Sequence, residues 1–148
     1  MGAGLLLAVR IKGHVGMDEA VRETLRFLRL RRVHTAVLLP DTPSVKGMLR
    51  KVERYVTWGK PSRRTIIAYL KRAGLTDESL DQLGIKSLEE MAARLESESS
   101  LLSKLNINGV RLGPPKGGYK RSVKRSYRYK GEYGPRDEAI DLLMGRMF

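Results

Sequence analysis

The first sixty residues alternate between two hydrophobic periods, and that alternation restricts the fold more than any other feature of the chain. Leu5 to Lys12 opens as an apolar run and ends Val9, Arg10, Ile11, Lys12, the period of two of a half-buried strand with cationic polar positions. From Met17 to about Arg31 the period becomes 3.6, and Met17, Val21, Thr24, Leu25 and Leu28 gather on one stripe, the core face of an amphipathic helix. Thr35 to Leu39, stopped by Pro40, predicts a second strand. In the PDTPS that follows, Thr42 or Ser44 can cap a helix that Pro43 helps to start, with Val45, Met48, Leu49 and Val52 as its apolar stripe. Arg54 to Trp58, rich in residues favoured in sheets, predicts a third strand. The order β-α-β-α-β is a compact unit whose helices can cover one face of a sheet.

Beyond residue 60 the pattern changes. Ser62 starts a helix that closes at Gly74, Thr76 and Gly84 bracket a very short one, and Ser87 with Glu90 makes a capping box for a third. Leu101, Leu102 and Leu105 are expected to dock on the same cluster, with a turn at Asn106 to Gly109. Pro135 to Met147 predicts a closing helix with Ala139, Ile140, Leu143 and Met144 on its apolar side. The expected organisation is a core over 1–60, a small helical insertion over 61–109, a basic segment over 110–134 and a helix over 135–148 packing on the core.

Charge indicates the partner. The formal net charge is +13 with a pI near 10.3, more than the magnitude of about 2 to 8 that suffices to keep a small domain soluble. Residues 1–60 carry 12 basic and 5 acidic side chains and residues 110–134 carry 8 and 1, whereas 61–109 balance at 7 and 7. The second block, VRLGPPKGGYKRSVKRSYRYKGEYG, interleaves cations with paired glycines and with Tyr119, Tyr127, Tyr129 and Tyr133. Lysines and arginines neutralise phosphates and release counterions. Glycines let backbone amides approach a phosphate, and tyrosines offer faces for exposed bases. The combination points to nucleic acid, and to RNA more than DNA. If both blocks face one way, they form a single footprint. A solvated basic tail is the plain alternative for Lys116 to Lys130, but four tyrosines and the strand-like Val110 to Leu112 favour an ordered RNA contact. Lys120, Lys124 and Arg128 share a face whether that stretch is helix or strand.

The candidate RNA-binding residues are Arg10, Lys12, Lys46, Arg50, Lys51, Arg111, Lys116, Gly117, Gly118, Tyr119, Lys120, Arg121, Lys124, Arg125 and Arg128. The PDTPSVKGM turn adds amides at a helix N-terminus, where anions bind favourably. Arg29 to Arg32 complement the C-terminal end of the first helix, so part of that charge is accounted for without a ligand. Trp58 reads as a core or sheet-edge residue before a stacking platform.

Catalysis finds no support. The sequence has no GxGxxG or P-loop spacing and no nucleophile in an elbow or triad setting. The acids Asp77, Glu78, Asp81, Glu89 and Glu90 sit at helix starts, where they stabilise the dipole. With no cysteine, disulfides and thiolate chemistry are excluded, and His14 and His34 lack metal-ligand company, so no enzyme, metal or cofactor is expected. The absence of cysteine, of a signal-peptide core and of any run near the roughly 18 apolar residues of a membrane span predicts a cytosolic protein without a membrane tether.

Five stretches resemble the L-thirty family of large-subunit ribosomal proteins in its longer archaeal and eukaryotic form. They are LLLAVRIKG at Leu5 to Gly13, TLRFLRLRRVH at Thr24 to His34, PDTPSVKGMLRKVERYVTWG at Pro40 to Gly59, RLGPPKGGY at Arg111 to Tyr119 and GPRDEAIDLLMGRM at Gly134 to Met147. They keep the family's order and span nearly the whole chain. The resemblance implies an α+β fold with a ferredoxin-like β-α-β-α-β core, a three-stranded sheet of order 3-1-2 and two helices on one face. It further implies a structural rRNA-binding subunit without catalysis, with neighbouring ribosomal proteins and 5S rRNA nearby. Where the family usually reads Arg-Leu-His-Pro-Pro-Arg-Gly-Gly, this chain has Gly113 and Lys116 in place of the imidazole and the guanidinium fork. Loss of those groups weakens the case for base-specific or bidentate contact there and leaves a contact shaped by backbone. A free-standing factor acting on mRNA or tRNA is the alternative function, and a small-ligand regulatory domain of similar topology is disfavoured by the charge. Few amide side chains and abundant arginine point to a heat-adapted source.

Overall fold

The computed structural model describes residues 4–13, 16–75, 80, 84–98, 102 and 109–148. The elements are β1 (Leu5–Arg10), α1 (Glu19–Phe27), β2 (Thr35–Pro40), α2 (Pro43–Lys51), β3 (Val56–Gly59), α3 (Arg63–Arg72), α4 (Leu88–Ser97), β4 (Val110–Arg111), β5 (Ser122–Ser126), β6 (Gly131–Pro135) and α5 (Ile140–Met147). Short 3-10 turns span Glu53–Tyr55, Tyr127–Tyr129 and Asp137–Ala139. The β-α-β-α-β order of the first sixty residues is present, with β1 antiparallel to both β2 and β3.

The expected three-stranded sheet is corrected to six strands in the order β4-β2-β1-β3-β6-β5. The order 2-1-3 stands at its centre. The basic segment supplies the additional strands: β4 pairs antiparallel with β2, and β6 runs parallel to β3. Because β5 and β6 are short and lie parallel, the chain must return within a few residues, and Gly131 packs against Arg125 so closely that a Cβ would stand 1.9 Å from its carbonyl oxygen.

The half-buried strand expected at β1 is likewise corrected, for all six of its residues are buried. Leu6 and Ala8 face Leu25, Leu49 and Trp58 on the α1–α2 side. Leu5, Leu7 and Val9 face Ile66, Tyr69, Met91, Leu95, Ile140 and Leu143 from α3, α4 and α5. The sheet is therefore covered by helices on both faces, an arrangement in which a strand reads as a continuous apolar run. The pattern LLLAV shows this, and the alternation beyond it obscured it.

Helix boundaries follow local chemistry. α1 stops four residues short of the expected Arg31, because Arg29 adopts a left-handed φ of 65° and the Leu30 amide bonds back to the Leu25 carbonyl at 2.8 Å. Thr42 caps α2 by accepting from the Val45 amide at 3.2 Å. Ser62 caps α3, and Gly74 follows it with φ +88°. Ser87 accepts from the Glu90 amide at 3.2 Å, while the Glu90 carboxylate takes the Lys86 amide at 3.0 Å, one residue earlier than in a simple capping box. The third strand starts at Val56 rather than Arg54, and the last helix opens as a 3-10 turn. Most of the helix expected between Thr76 and Gly84, Leu101, Leu105 and the turn at 106–108 lie outside the described residues; Leu80 and Leu102 pack on the α3–α4 cluster.

Candidate nucleic-acid interface

The strand order decides where the cations can meet. β4 and β5 sit at opposite edges of the sheet, separated by about 24 Å at the usual spacing between strands. The basic block 110–134 is thus divided between two edges instead of forming one stripe.

At the β5 edge, Lys124, Arg125 and Arg128 are exposed, and the 120–130 stretch resolves as a strand ending in a 3-10 turn. A hollow of about 230 Å³ is lined by Arg50 of α2, Arg128 and Tyr129, with Glu53 and Trp58 also in its wall. Arg50 also borders a second hollow of about 250 Å³ with Lys46 and Lys60, where Asp41 and Asp137 balance part of the charge. Tyr129 is 72% exposed and is the tyrosine here that offers an open ring. Tyr129 is one of the four tyrosines the sequence offers as base platforms, whereas Lys60 has no sequence signal: it joins only by proximity in the fold, which no spacing in sequence records. Trp58 itself is buried, as a core residue.

The other aromatics of the segment are occupied by the protein. Tyr127 lies between two guanidiniums, with Arg121 at 5.2 Å and Arg136 at 4.7 Å from its ring centre. Tyr119 stacks on His34 at 6.1 Å between centroids and packs on the core, which pushes its phenol up to about 12 through burial, with Glu132 adding to the effect. Its ring is therefore withdrawn from the expected role of a base platform. Gly117 and Gly118 are left-handed, at φ +79° and +76°, and open to solvent. The turn they form is pinned to α5: the Lys116 amide donates to the Arg146 carbonyl at 2.9 Å, and the Arg146 guanidinium donates to the carbonyls of Lys116 and Gly118. Lys116 and Lys120 are exposed beside it.

Two expectations in the core change on structural grounds, the phosphate contact of Arg10 and the anion-binding turn before α2. Arg10 is only 3% exposed, its guanidinium donating to the carbonyls of Lys12 at 2.9 Å, Leu30 at 3.0 Å and Arg31 at 2.7 Å. It ties the turn after α1 to β1, and a phosphate contact is withdrawn for it. Lys46 is answered by Asp41 at 3.0 Å. In the same turn Pro43 has no N–H and Thr42 occupies the Val45 amide, so of the first three positions of α2 only Ser44 has an amide left for an anion. Lys12 lies 5.9 Å over the Tyr55 ring, while Lys51 is exposed on α2.

The β4 edge holds what the sequence reading missed. Arg26, Arg29, Arg31 and Arg32 line an open hollow of about 400 Å³ together with Phe27, Thr35, Gly109 and Arg111 of β4, and among the described residues no carboxylate lines it. The helix dipole accounts for Arg29, Arg31 and Arg32 in sequence but not for Arg26, and Arg111 joins them only because β4 pairs with β2. His34, left-handed at φ 66°, fixes the loop from both sides, its amide donating to Arg10 at 2.7 Å and its carbonyl accepting from Leu112 at 2.9 Å.

Among the described residues no group of three His, Cys, Asp or Glu is placed to hold a metal ion, and no helix is long and apolar enough to cross a membrane. The model of the family described as ribosomal protein L30p/L7e matches residues 6–56. The large ribosomal subunit protein uL30 of Ignicoccus hospitalis is 39% identical, with 99% of each chain covered. That of Caldivirga maquilingensis is 40% identical over 99% of this chain and 92% of its own length. That of Thermofilum pendens is 38% identical over 97% and 98%. With relatives 38–40% identical over 97% or more of the chain, well past the residues of the family model, this chain belongs to the L30p/L7e family of ribosomal proteins.

Proposed function

We propose that this chain is a structural protein of the large ribosomal subunit, holding folded rRNA by neutralising phosphates and by shape, in support of subunit assembly and translation and without catalysis of its own. The observation that carries this reading is identity near 39% over 99% of both chains with a protein named for that subunit. The charge of +13 and the exposed cations at both sheet edges fit it. Sequence would be read weakly, since most such contacts go to phosphate and sugar.

The residues assigned to the contact are Lys12, Lys46, Arg50, Lys51, Arg111, Lys116, Gly117, Gly118, Lys120, Arg121, Lys124, Arg125 and Arg128, with Lys60 and Tyr129 added by their position. Arg121 contributes its edge, one face being stacked on Tyr127. Sedimentation of native lysate on a sucrose gradient, at moderate and then high salt, tests the role. About one copy per large subunit, retained through the salt wash, is the expected result; recovery in the light fractions would overturn it. Replacing Lys116, Lys120, Lys124 and Arg125 with Gln should flatten the salt dependence of rRNA binding by roughly 0.7 to 0.9 per contact removed. Ribosomal proteins alongside and 5S rRNA are the proposed neighbours, and crosslinking within the subunit identifies them.

A further inference from the structure

Phe27 is 72% exposed, although the apolar stripe of α1 turns Leu25 and Leu28 inward. A phenylalanine in that position gains nothing from the core. It stands instead in the hollow lined by Arg26, Arg29, Arg31, Arg32 and Arg111. The dipole of α1 calls for a cation or two within its last turn, whereas these five arginines come from the helix, the loop after it and a strand about eighty residues further along the chain. The site is also held in shape. The left-handed Arg29 and His34 bracket the loop, and Gly109 brings the chain so near that a Cβ there would lie 3.0 Å from the Arg29 carbonyl oxygen.

A flat apolar face ringed by cations fits a ligand that has both a planar ring and phosphates. We infer that this hollow holds an unstacked nucleotide of single-stranded RNA, its base on the Phe27 ring and its flanking phosphates among the arginines. The inference rests on the reading of the chain as an rRNA-binding protein. In a duplex the base faces are covered by their neighbours, so Phe27 selects a loop, a bulge or an end, while the arginines alone would accept any strand. An acidic peptide offers carboxylates but no ring, and would leave Phe27 without a role.

The test uses the full chain, a labelled short oligouridylate, and the duplex of that strand with oligoadenylate. Phe27→Leu, a change at an exposed position, should weaken oligouridylate binding at least about fivefold. Duplex binding and the slope of affinity against salt should be unchanged. Arg32→Gln and Arg111→Gln should each lower that slope by about 0.7. Ultraviolet irradiation of the oligouridylate complex should attach RNA at Phe27, identified by mass spectrometry. Unchanged oligouridylate binding by Phe27→Leu, an equal loss on the duplex, or competition by oligoglutamate as effective as by oligouridylate would each overturn the nucleotide site. If the unaltered chain sediments with the large subunit while Phe27→Leu binds oligouridylate normally, the nucleotide site alone is wrong. Recovery of the unaltered chain in the light fractions removes the ribosomal role itself.

Discussion

The Arg136 guanidinium donates to the Thr57 hydroxyl at 2.7 Å and to the Glu132 carboxylate at 2.9 Å, and lies over Tyr127. Thr57 in turn donates to the Gly134 carbonyl at 2.8 Å, and the second Glu132 oxygen takes the Arg121 amide at 3.1 Å. One buried ion pair thus joins β3, β6 and the approach to β5. Arg136→Met should cost about 3–5 kcal/mol, because it leaves the Glu132 charge buried and unpaired; urea unfolding measures it, and a loss under about 1 kcal/mol would show the pair to be dispensable. A second residue-scale prediction concerns His34, whose pKa burial lowers below its ordinary 6.5. The folded state then resists protonation more than the unfolded chain does. The associated stability is complete above pH 6.5 and falls as pH drops from there through the lower folded value. His34→Asn, which tolerates the left-handed backbone, should lose less thermal midpoint between neutral and mildly acid pH than the native chain. Equal losses would remove His34 as the source.

At the scale of elements, two glycines show why close approach and backbone angle must be weighed separately. A Cβ on Gly59, at the end of β3, would lie 2.0 Å from the Asp137 carbonyl oxygen that accepts the Lys60 amide. Gly59→Ala should therefore force β3 away from the turn before α5, costing about 1–3 kcal/mol or more. Gly117→Ala meets open space and pays only for its positive φ, about 1–2 kcal/mol. Thermal unfolding of the two variants should rank Gly59→Ala clearly below Gly117→Ala, and the reverse order would contradict the packing described. The helices were legible in sequence where a cap announced them, as at Thr42, Ser62 and Ser87. The end of α1 was not, since Arg29 breaks the helix without glycine or proline and is stabilised by bonds made in the folded loop.

At the scale of the molecule, the two cationic edges are far enough apart to act independently. Gln substitutions at Lys124 and Arg125 on one edge, and at Arg32 and Arg111 on the other, should add in free energy of rRNA binding to within about 0.5 kcal/mol. Strong non-additivity in a filter-binding cycle would mean that both edges grip one RNA element. The composition also predicts a thermal midpoint above about 65 °C, the upper end of the mesophile range.

What the sequence determined by itself was local: the order of strands and helices in the first sixty residues, the caps, the excess of cations, and the motifs shared with the family. Those properties live within a few residues of one another, where period, propensity and charge act directly. The tertiary structure alone decided the rest. Strand β4 was announced by the strand-like Val110 to Leu112, but β5 and β6 were hidden in a basic segment too polar and glycine-rich to announce them, and all three form because β2 and β3 offer open edges. The same pairing brings Arg111 to the arginines after α1, buries Arg136 with Glu132, and occupies Tyr119 and Tyr127, so that Phe27 and Tyr129 remain as the open rings beside clustered arginines. Contacts between residues about eighty positions apart depend on register and on which face is covered, and neither quantity is written in the local pattern of the chain.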